Sequence, residues 1–276
     1  MKRKTNRRRH YTRRRRKSKS TLQRISPFLL WGGLIVLLVF VGYNFYHHYL
    51  EPKSRLPQMV DTVHYPDGEV RGIDISHYQN EIDWHILRDA IIKDVPIRFV
   101  FIKATEGTDR FDPYFNLYFA QARRNELTRG AYHFFSTKSS GKKQAEYFCR
   151  MVQLEPGDLP PVLDVEIEVD KLSGYSREKL RREVLAWLQY AEKYYGVPPI
   201  LYASSAYKQH YLNGADFERY PFWIAHYYVK NPTYKGSWAF WQHTDQGRVE
   251  GIKGKVDIDV FNGTAEDFAQ LLIKEN

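Results

Sequence analysis

Cysteine is almost absent from this 276-residue chain, which contains only Cys149. A single cysteine excludes an intrachain disulfide, and its helical context "AEYFCRMVQ" predicts a buried apolar position rather than a reactive thiol. The chain also lacks a Gly-rich phosphate loop, a G-x-S-x-G nucleophile motif and the H-E-x-x-H spacing of metal sites. We therefore expect no metal site and no cofactor.

Acidic side chains are missing from residues 1–25, which carry thirteen Lys or Arg. The other 29 basic and 32 acidic residues leave the rest of the chain with a charge of about −3. The net charge of +10 therefore belongs to the N-terminal segment and not to the part that folds. This distribution argues against a nucleic-acid partner and favours contact with anionic lipid headgroups.

Charged and strongly polar side chains are also missing from Phe28 to Tyr43. Extended to Tyr46, this run would form a helix of roughly 28 Å, which is enough to cross the hydrocarbon layer. We predict a basic cytoplasmic tail over 1–25 and a transmembrane helix over 26–48, because positive charge stays on the cytoplasmic side. A cleaved signal peptide is the alternative. The apolar run is longer than a usual signal core, and no small-x-small cleavage site follows it.

Residues 49–69 contain three prolines and little hydrophobic periodicity, which is typical of a linker. The remaining residues, 70–276, have ample apolar and aromatic content for a core. We expect this domain to lie outside the cytoplasm, anchored to the membrane by the single N-terminal span. The sequence does not indicate an oligomeric state.

Short apolar runs typical of strands recur through the domain. They cover 70–76, 97–105, 128–135, 161–168, 199–204, 221–227, 238–244 and 256–261. Stretches with helical spacing separate the first five, at 83–92, 114–127, 141–153 and 176–195. The last two connections are too short for a crossover helix. We predict an α/β fold, a distorted TIM-like barrel of about five strand-helix units followed by three strands joined by turns.

The fourth run, "PPVLDVEIEVD", alternates apolar and acidic residues. Successive side chains of a strand point to opposite faces, so the pattern places Asp164, Glu166, Glu168 and Asp170 on one face. A solvated sheet edge would explain the same alternation. The two prolines at its start and its position among other apolar runs favour a buried strand instead.

Acids also mark the ends of other predicted strands. Asp74 ends the first and Asp257 opens the last, followed by Asp259. Active sites of such barrels lie at the carboxyl ends of the strands, where carboxylates can transfer protons and aromatic rings can stack on sugars. Structural roles at strand ends are the alternative for these acids, and a sheet-end ion pair is expected of Lys103 and Glu106. The predicted sugar-binding aromatic residues are Tyr132, Tyr202, Trp223, Tyr227 and Trp241.

Six segments together closely resemble the glycoside hydrolase family 25 lysozymes, the Chalaropsis-type muramidases. They read "RGIDISHYQNEIDW", "FVFIKATEG", "GAYHFF", "PPVLDVE", "WIAHY" and "WQHTDQGRVEGIKGKVDIDVF", in the family's order. The resemblance implies hydrolysis of the β-1,4 bond between N-acetylmuramic acid and N-acetylglucosamine in peptidoglycan. It implies that Glu166 is the general acid, with Asp164, Asp74 and Asp257 as the other active-site carboxylates. Asn80 departs from the family, which usually places Gly there.

The implied chemistry requires Glu166 to be protonated near neutral pH, while Asp164 and Asp257 are expected to stay ionised. We favour a substrate-assisted, retaining route in which Asp164 holds the 2-acetamido group of the sugar. Water activation by Asp74 is the alternative, because the spacing of the carboxylates does not decide the stereochemistry. A non-catalytic peptidoglycan-binding module is the alternative function, although the presence of all four acids disfavours it.

Overall fold

A closed barrel of eight strands forms the centre of the domain. The computed structural model describes residues 66–167 and 175–275. The predicted tail (1–25), transmembrane helix (26–48) and most of the predicted linker (49–69) lie outside the described residues. Within the described ranges, no helix is both long and apolar enough to cross a membrane.

The strands follow the predicted order, with two short additions, β2 and β4, that pair with β3. Around the barrel the order is β1, β3, β5, β6, β7, β8, β9, β10 and back to β1, and only β10 runs antiparallel to its neighbours among these described strands. Their bounds are β1 (Arg71–Ile75), β2 (Ile91–Ile92), β3 (Val95–Glu106), β4 (Arg110–Phe111), β5 (Thr128–Phe134), β6 (Val162–Asp164), β7 (Ile200–Ser204), β8 (Phe222–Ala225), β9 (Phe240–Gly247) and β10 (Val256–Phe261).

Helices follow the first five long strands, as predicted, and none separates β8 from β9 or β9 from β10 in the described chain. A distorted barrel is therefore confirmed. The turn of 3₁₀ helix spans His77–Gln79, and the α-helices are α1 (Trp84–Arg88), α2 (Phe115–Arg124), α3 (Gly141–Met151), α4 (Arg177–Tyr195), α5 (Ser205–Tyr211), α6 (Ala215–Glu218) and α7 (Ala265–Leu271).

Helix α4 begins and ends where its sequence signals predict. The Ser176 side chain accepts a hydrogen bond from the Lys179 backbone N–H at 3.1 Å, which satisfies a donor that the first turn leaves unpaired. Gly196 ends the helix with φ of 74°, a left-handed conformation that glycine adopts without a Cβ clash. The buried face of α4 includes Trp187, fully enclosed beneath the helix, and burial of such a side chain stabilises the fold by about 1.5–3 kcal/mol.

Alternation along each strand separates two layers of buried side chains. On β3, Phe99 and Phe101 point into the barrel, whereas Val100 and Ile102 belong to the layer shared with the helices. Gly72 of β1 is part of the inner layer, since a Cβ there would lie 2.3 Å from the ring of Phe99. The inner aromatic side chains fill the barrel at the amino-terminal ends of the parallel strands. The opposite end stays open for polar residues.

The fourth strand of the barrel, β6, is shorter than predicted. β6 ends at Asp164, because the ladders with β5 and β7 end there and one further backbone bond, from Val165 N–H to the Tyr202 carbonyl, completes the pairing. The prediction of one strand over 161–168 is therefore wrong. Alternation nevertheless continues past the strand end, with Val165 buried and Glu166 exposed towards the pocket described below. Glu168 and Asp170 lie outside the described residues.

Candidate active site

Carboxylates from both sides of the barrel converge on one pocket. The pocket has a volume of about 220 Å³ and lies at the carboxyl ends of the parallel strands. All four predicted acids line it: Asp164 and Glu166 on one side, and Asp74 and Asp257 on the other. Because β10 is antiparallel to β1, its first residues reach the same end of the barrel as the last residues of β1. This explains how an acid at the start of the last strand joins acids at the ends of others.

The hydroxyl group of Tyr202 links Glu166 to the barrel. Its oxygen lies 3.0 Å from Glu166 Oε1 and 2.7 Å from the amide oxygen Oε1 of Gln242. Lys103 also lines the pocket, and its positive charge partly offsets the rise in pKa that burial causes in Asp164 and Glu166. The ammonium of Lys103 forms the predicted ion pair with Glu106 at 3.0 Å.

Burial raises the pKa of every carboxyl group in this cluster. For Glu166, the removal of water is the largest cause. It is opposed by the Tyr202 hydrogen bond, when the hydroxyl donates to the carboxylate, and by the charge of Lys103. Burial also raises the pKa of Asp164 well above its ordinary value, and the negative charge of Glu166 adds to the effect. For Asp257, burial and then the charges of Asp245 and Glu166 raise the pKa to about 7.

These shifts change one expectation from the sequence. The expectation that Asp164 and Asp257 simply stay ionised is not supported, because buried carboxylates that face one another cannot all carry charge. Asp257, with a pKa of about 7, is only partly ionised near neutral pH. Glu166, as the predicted acid, is in surroundings that favour its protonated form, which is the form needed to donate a proton.

Gln242 and Asp259 complete the site, and neither was among the predicted site residues. The Gln242 Nε2 group donates to Asp74 Oδ2 at 2.5 Å, and its Oε1 accepts from the hydroxyl of Tyr227 as well as from Tyr202. Asp259 is fully buried below the pocket and accepts from Trp223 Nε1 at 2.8 Å. Strand parity could have identified both, since Gln242 and Asp259 have the same orientation as neighbours that point into the barrel.

Four of the five predicted aromatic residues line the pocket, namely Tyr132, Tyr202, Trp223 and Tyr227. Trp241 does not. It is 1% exposed, belongs to the layer between strands and helices, and donates from its indole to the carbonyl of His226 at 2.9 Å. The reason is the period of two along β9, which turns Trp241 outward where Gln242 points inward.

Two exposed tyrosines near the acids were missed. Tyr78 is 76% exposed and lines the pocket, and Tyr228 is 73% exposed on a neighbouring groove. The groove, with a volume of about 790 Å³, shares Glu166 and Tyr227 with the pocket and continues past them. Tyr228 has φ of 59°, an uncommon conformation for a bulky residue, and its hydroxyl donates to Asp245 Oδ1 at 2.6 Å. A fixed, exposed ring beside a groove is suited to stacking on a sugar.

The histidines near the strand ends have structural contacts. His133 is fully buried between Thr105 and Gln144, and burial lowers its pKa to about 4, so it is neutral. His77 contacts Asp112 at 2.7 Å through Nδ1, which holds the turn that carries Tyr78. Within the residues that the structure describes, no three His, Cys, Asp or Glu side chains are grouped so that they could hold a metal ion.

Comparison with known proteins identifies relatives over most of the domain. The profile of Glycosyl hydrolases family 25 matches residues 73–252. "Uncharacterized protein YegX" of Escherichia coli K12 is 45% identical over 199 residues, which cover 72% of this chain and 71% of that protein. "Lysozyme M1" of Streptomyces globisporus is 33% identical over 221 residues, 75% of this chain and 71% of that protein.

A solved structure agrees with this assignment. The family 25 glycosyl hydrolase from Bacillus anthracis superposes with a TM-score of 0.68 at 36% identity, covering 75% of this chain and 95% of that one. The sequence match and the shared barrel confirm the resemblance seen in the motifs. The chain is a member of glycosyl hydrolase family 25.

Proposed function

We propose that this protein is a muramidase, hydrolysing the β-1,4 bond between N-acetylmuramic acid and N-acetylglucosamine in peptidoglycan. The observation that carries the proposal is the convergence of Asp74, Asp164, Glu166 and Asp257 on one pocket in a family 25 barrel. The pocket is smaller than the roughly 300–1,000 Å³ of typical small-molecule sites, and it opens into a larger groove. Such a shape suits a segment of an extended chain.

Glu166 is the general acid in this proposal. Burial raises its pKa, so the carboxyl group retains a proton that it can donate to the glycosidic oxygen as the bond breaks. Positive charge then develops at the anomeric carbon and ring oxygen. The carboxyl groups of the cluster that are ionised attract that charge, and the attraction is stronger inside a partly desolvated pocket than in water.

Asp164 is proposed to hold the 2-acetamido group of the substrate. Its Oδ1 atom is buried and has no hydrogen-bond partner among the described residues, although the side chain lines the pocket. An acceptor left in this state is suited to the N–H of an acetamido group, whose carbonyl oxygen can then attack the anomeric carbon and give retention. Activation of water by Asp74, giving inversion, is the alternative, and the anomeric configuration of the first product distinguishes the two by NMR.

Digestion of purified peptidoglycan by the full chain in detergent tests the activity. Mass analysis of the reduced products identifies the new reducing ends. N-acetylmuramic acid at those ends supports the proposal, and N-acetylglucosamine would indicate a glucosaminidase instead. Binding to peptidoglycan without release of fragments would favour a non-catalytic module, which the convergence of all four acids on one pocket argues against.

We further propose that residues 26–48 anchor the protein in a membrane, with the basic tail in the cytoplasm and the catalytic domain outside it. The uninterrupted apolar run from Phe28 to Tyr43 and the thirteen basic residues before it support this placement. Extraction of membranes with alkaline carbonate tests the anchor. The full chain should stay in the pellet, and its recovery in the supernatant would contradict the proposal. Protease added to spheroplasts should degrade the catalytic domain and spare the tail.

A further inference from the structure

The amide group of Gln242 connects two acids on opposite sides of the pocket. Its Nε2 donates to Asp74 Oδ2 at 2.5 Å, and its Oε1 lies 2.7 Å from the hydroxyl oxygen of Tyr202, which in turn lies 3.0 Å from Glu166 Oε1. Gln242 is 3% exposed and is shielded from water that would otherwise replace these contacts. The chain of contacts therefore runs from Asp74 through Gln242 and Tyr202 to Glu166.

The hydrogen atoms in this chain fix the direction of each bond. A tyrosine hydroxyl has one hydrogen, so Tyr202 can donate to Gln242 or to Glu166, but not fully to both. Burial raises the pKa of Tyr202 well above its ordinary value, so the hydroxyl keeps that hydrogen. When Gln242 presents its oxygen, Tyr202 donates to it. The contact between Tyr202 and Glu166 is then a hydrogen bond only if Glu166 is protonated and donates to the tyrosine oxygen.

Rotation of the amide by 180° reverses every bond. The Gln242 oxygen would then face Asp74, which must be protonated to donate to it. The Gln242 amide NH₂ group would donate to the oxygen of Tyr202, and the tyrosine hydrogen would be free to donate to an ionised Glu166. In each arrangement every contact from Asp74 through Gln242 and Tyr202 to Glu166 is a hydrogen bond. Each arrangement also places one proton in total on the two acids.

We propose that Gln242 is a positioning residue that couples the ionisation of Asp74 to that of Glu166 in opposite senses. An ionised Asp74 orients the amide so that Glu166 is held protonated, and a protonated Asp74 orients it so that Glu166 is held ionised. This inference rests on the proposed function for its catalytic meaning. The first arrangement supplies Glu166 as the protonated general acid. The second stabilises the Glu166 carboxylate after its proton has passed to the leaving group.

Other charged and titratable groups surround the chain without replacing its bonds. The Tyr227 hydroxyl, like that of Tyr202, donates to Gln242 Oε1, and it lies 3.5 Å from the Tyr202 oxygen. The charged groups that act on Asp74, Asp164, Glu166 or their neighbours are Lys103, Glu106, Asp112, Asp245, Asp257 and Asp259, and the neutral Tyr132 hydroxyl lies among them. They shift the absolute pKa values of both acids. They do not set the direction of the Tyr202 hydrogen bond.

The sign of a pKa shift tests the coupling. While Asp74 is ionised, Tyr202 accepts from a protonated Glu166, and the change Tyr202→Phe removes a bond to the protonated form and lowers the pKa of Glu166. If Tyr202 instead donates to the carboxylate, the same change raises that pKa. In a Gln242→Leu background the tyrosine hydrogen is released towards Glu166, so there Tyr202→Phe should raise the pKa. The coupling thus predicts opposite signs of the Glu166 pKa shift in the two backgrounds.

Carbon-13 NMR of the full chain, labelled at glutamate carboxyl groups, measures this directly. The change Glu166→Gln identifies the resonance, and Tyr207→Phe, on α5 outside the pocket, is the control that should leave the Glu166 pKa unchanged. A rise or no change with Tyr202→Phe alone would overturn the proposal, even if the Gln242→Leu variant failed to fold. Because NMR needs no turnover, a protein that shows the sign reversal without cleaving peptidoglycan would refute the proposed function and leave the coupling intact.

Discussion

Asp74 and Asp257 lie directly opposite one another across the antiparallel ladder of β1 and β10. Like charges at paired positions of two strands repel, and here the pair also sits at the end of a barrel where burial disfavours charge. For Asp74, burial is the largest cause of the raised pKa, and the charges of Asp257 and then Asp259 come next. The fold thus accepts an arrangement that lowers its own stability, which is typical of active sites.

Replacement of Asp257 by Asn should stabilise the protein at neutral pH while impairing hydrolysis. The pKa of Asp257 is raised in the folded state from 3.8 to about 7. A carboxyl group with a raised folded pKa contributes stability that is present below the unfolded pKa and is lost as pH rises towards the folded value. Asparagine cannot ionise, so the variant does not lose this stability as the pH rises. We expect Asp257→Asn to raise the free energy of unfolding by roughly 1–3 kcal/mol at pH 8, after screening by solvent.

Thermal or urea unfolding at pH 4 and pH 8 measures this effect. The gain should shrink towards zero at pH 4, where wild-type Asp257 is protonated in the folded state. Asp216→Asn, on α6 and outside the pocket, is the matched control. An equal gain at both pH values would show that the charge of Asp257 is not the cause.

Glycine at position 80 should stabilise the turn after the first strand. Asn80 has φ of 52° and ψ of −118°, a conformation that costs a residue with a Cβ about 1–3 kcal/mol and glycine much less. This explains the glycine that the family usually has there. Asn80→Gly should raise the free energy of unfolding by about 1 kcal/mol, less the hydrogen bond that Asn80 Nδ2 donates to the Tyr78 carbonyl. Asn80→Ala should lower it, and a gain from both changes would contradict this explanation.

Two tryptophans on neighbouring strands should differ in the effect of their replacement by Phe. Trp223→Phe leaves Asp259 Oδ1 without its indole donor beneath the pocket, so kcat should fall along with stability. Trp241→Phe removes a donor to the His226 carbonyl in the outer layer, so stability should fall by about 1–3 kcal/mol with kcat and KM preserved. A comparable loss of kcat in both folded variants would contradict this account, in which Trp223 supports the pocket and Trp241 only packs between the strands and the helices.

Loss of an exposed ring should weaken substrate binding without affecting the chemical step. Tyr228→Ala removes the ring beside the groove, and a stacking contact of about 1 kcal/mol corresponds to roughly a fivefold rise in KM on soluble glycan fragments. The value of kcat should change by less than about twofold. Tyr194→Ala, an exposed tyrosine of α4 outside both cavities, is the control. An unchanged KM for Tyr228→Ala would show that the groove does not bind the sugar chain there.

The barrel was predictable because its strands and helices have distinct hydrophobic periods. The short links after β8 and β9 predicted strands without crossover helices, and the caps of α4 predicted its ends. The end of β6 was not predictable from alternation. The acidic-apolar pattern continues beyond Asp164, but the neighbouring strands provide no further partners there.

The site was predictable in its acids and less so in their connections. Asp74, Asp164, Glu166 and Asp257 were placed by strand ends and by family motifs, and they do share one pocket. Trp241 was assigned to the site by residue type alone, and strand parity places it on the other face. Gln242, one residue further along, has the parity of an inward residue but was missed, because the residue type of an uncharged amide gives no signal for a role that depends on three side-chain contacts.

The central claim is that Glu166 donates the proton that breaks the glycosidic bond. Glu166→Gln removes the acid while preserving size and shape, and Glu81→Gln, a fully solvated site 91% exposed at its side chain, is the matched control. Release of reducing ends from peptidoglycan should fall by at least about 100-fold in Glu166→Gln and remain normal in the control, with melting temperatures within about 2 °C of the wild type. Near-normal release by folded Glu166→Gln protein would contradict the account.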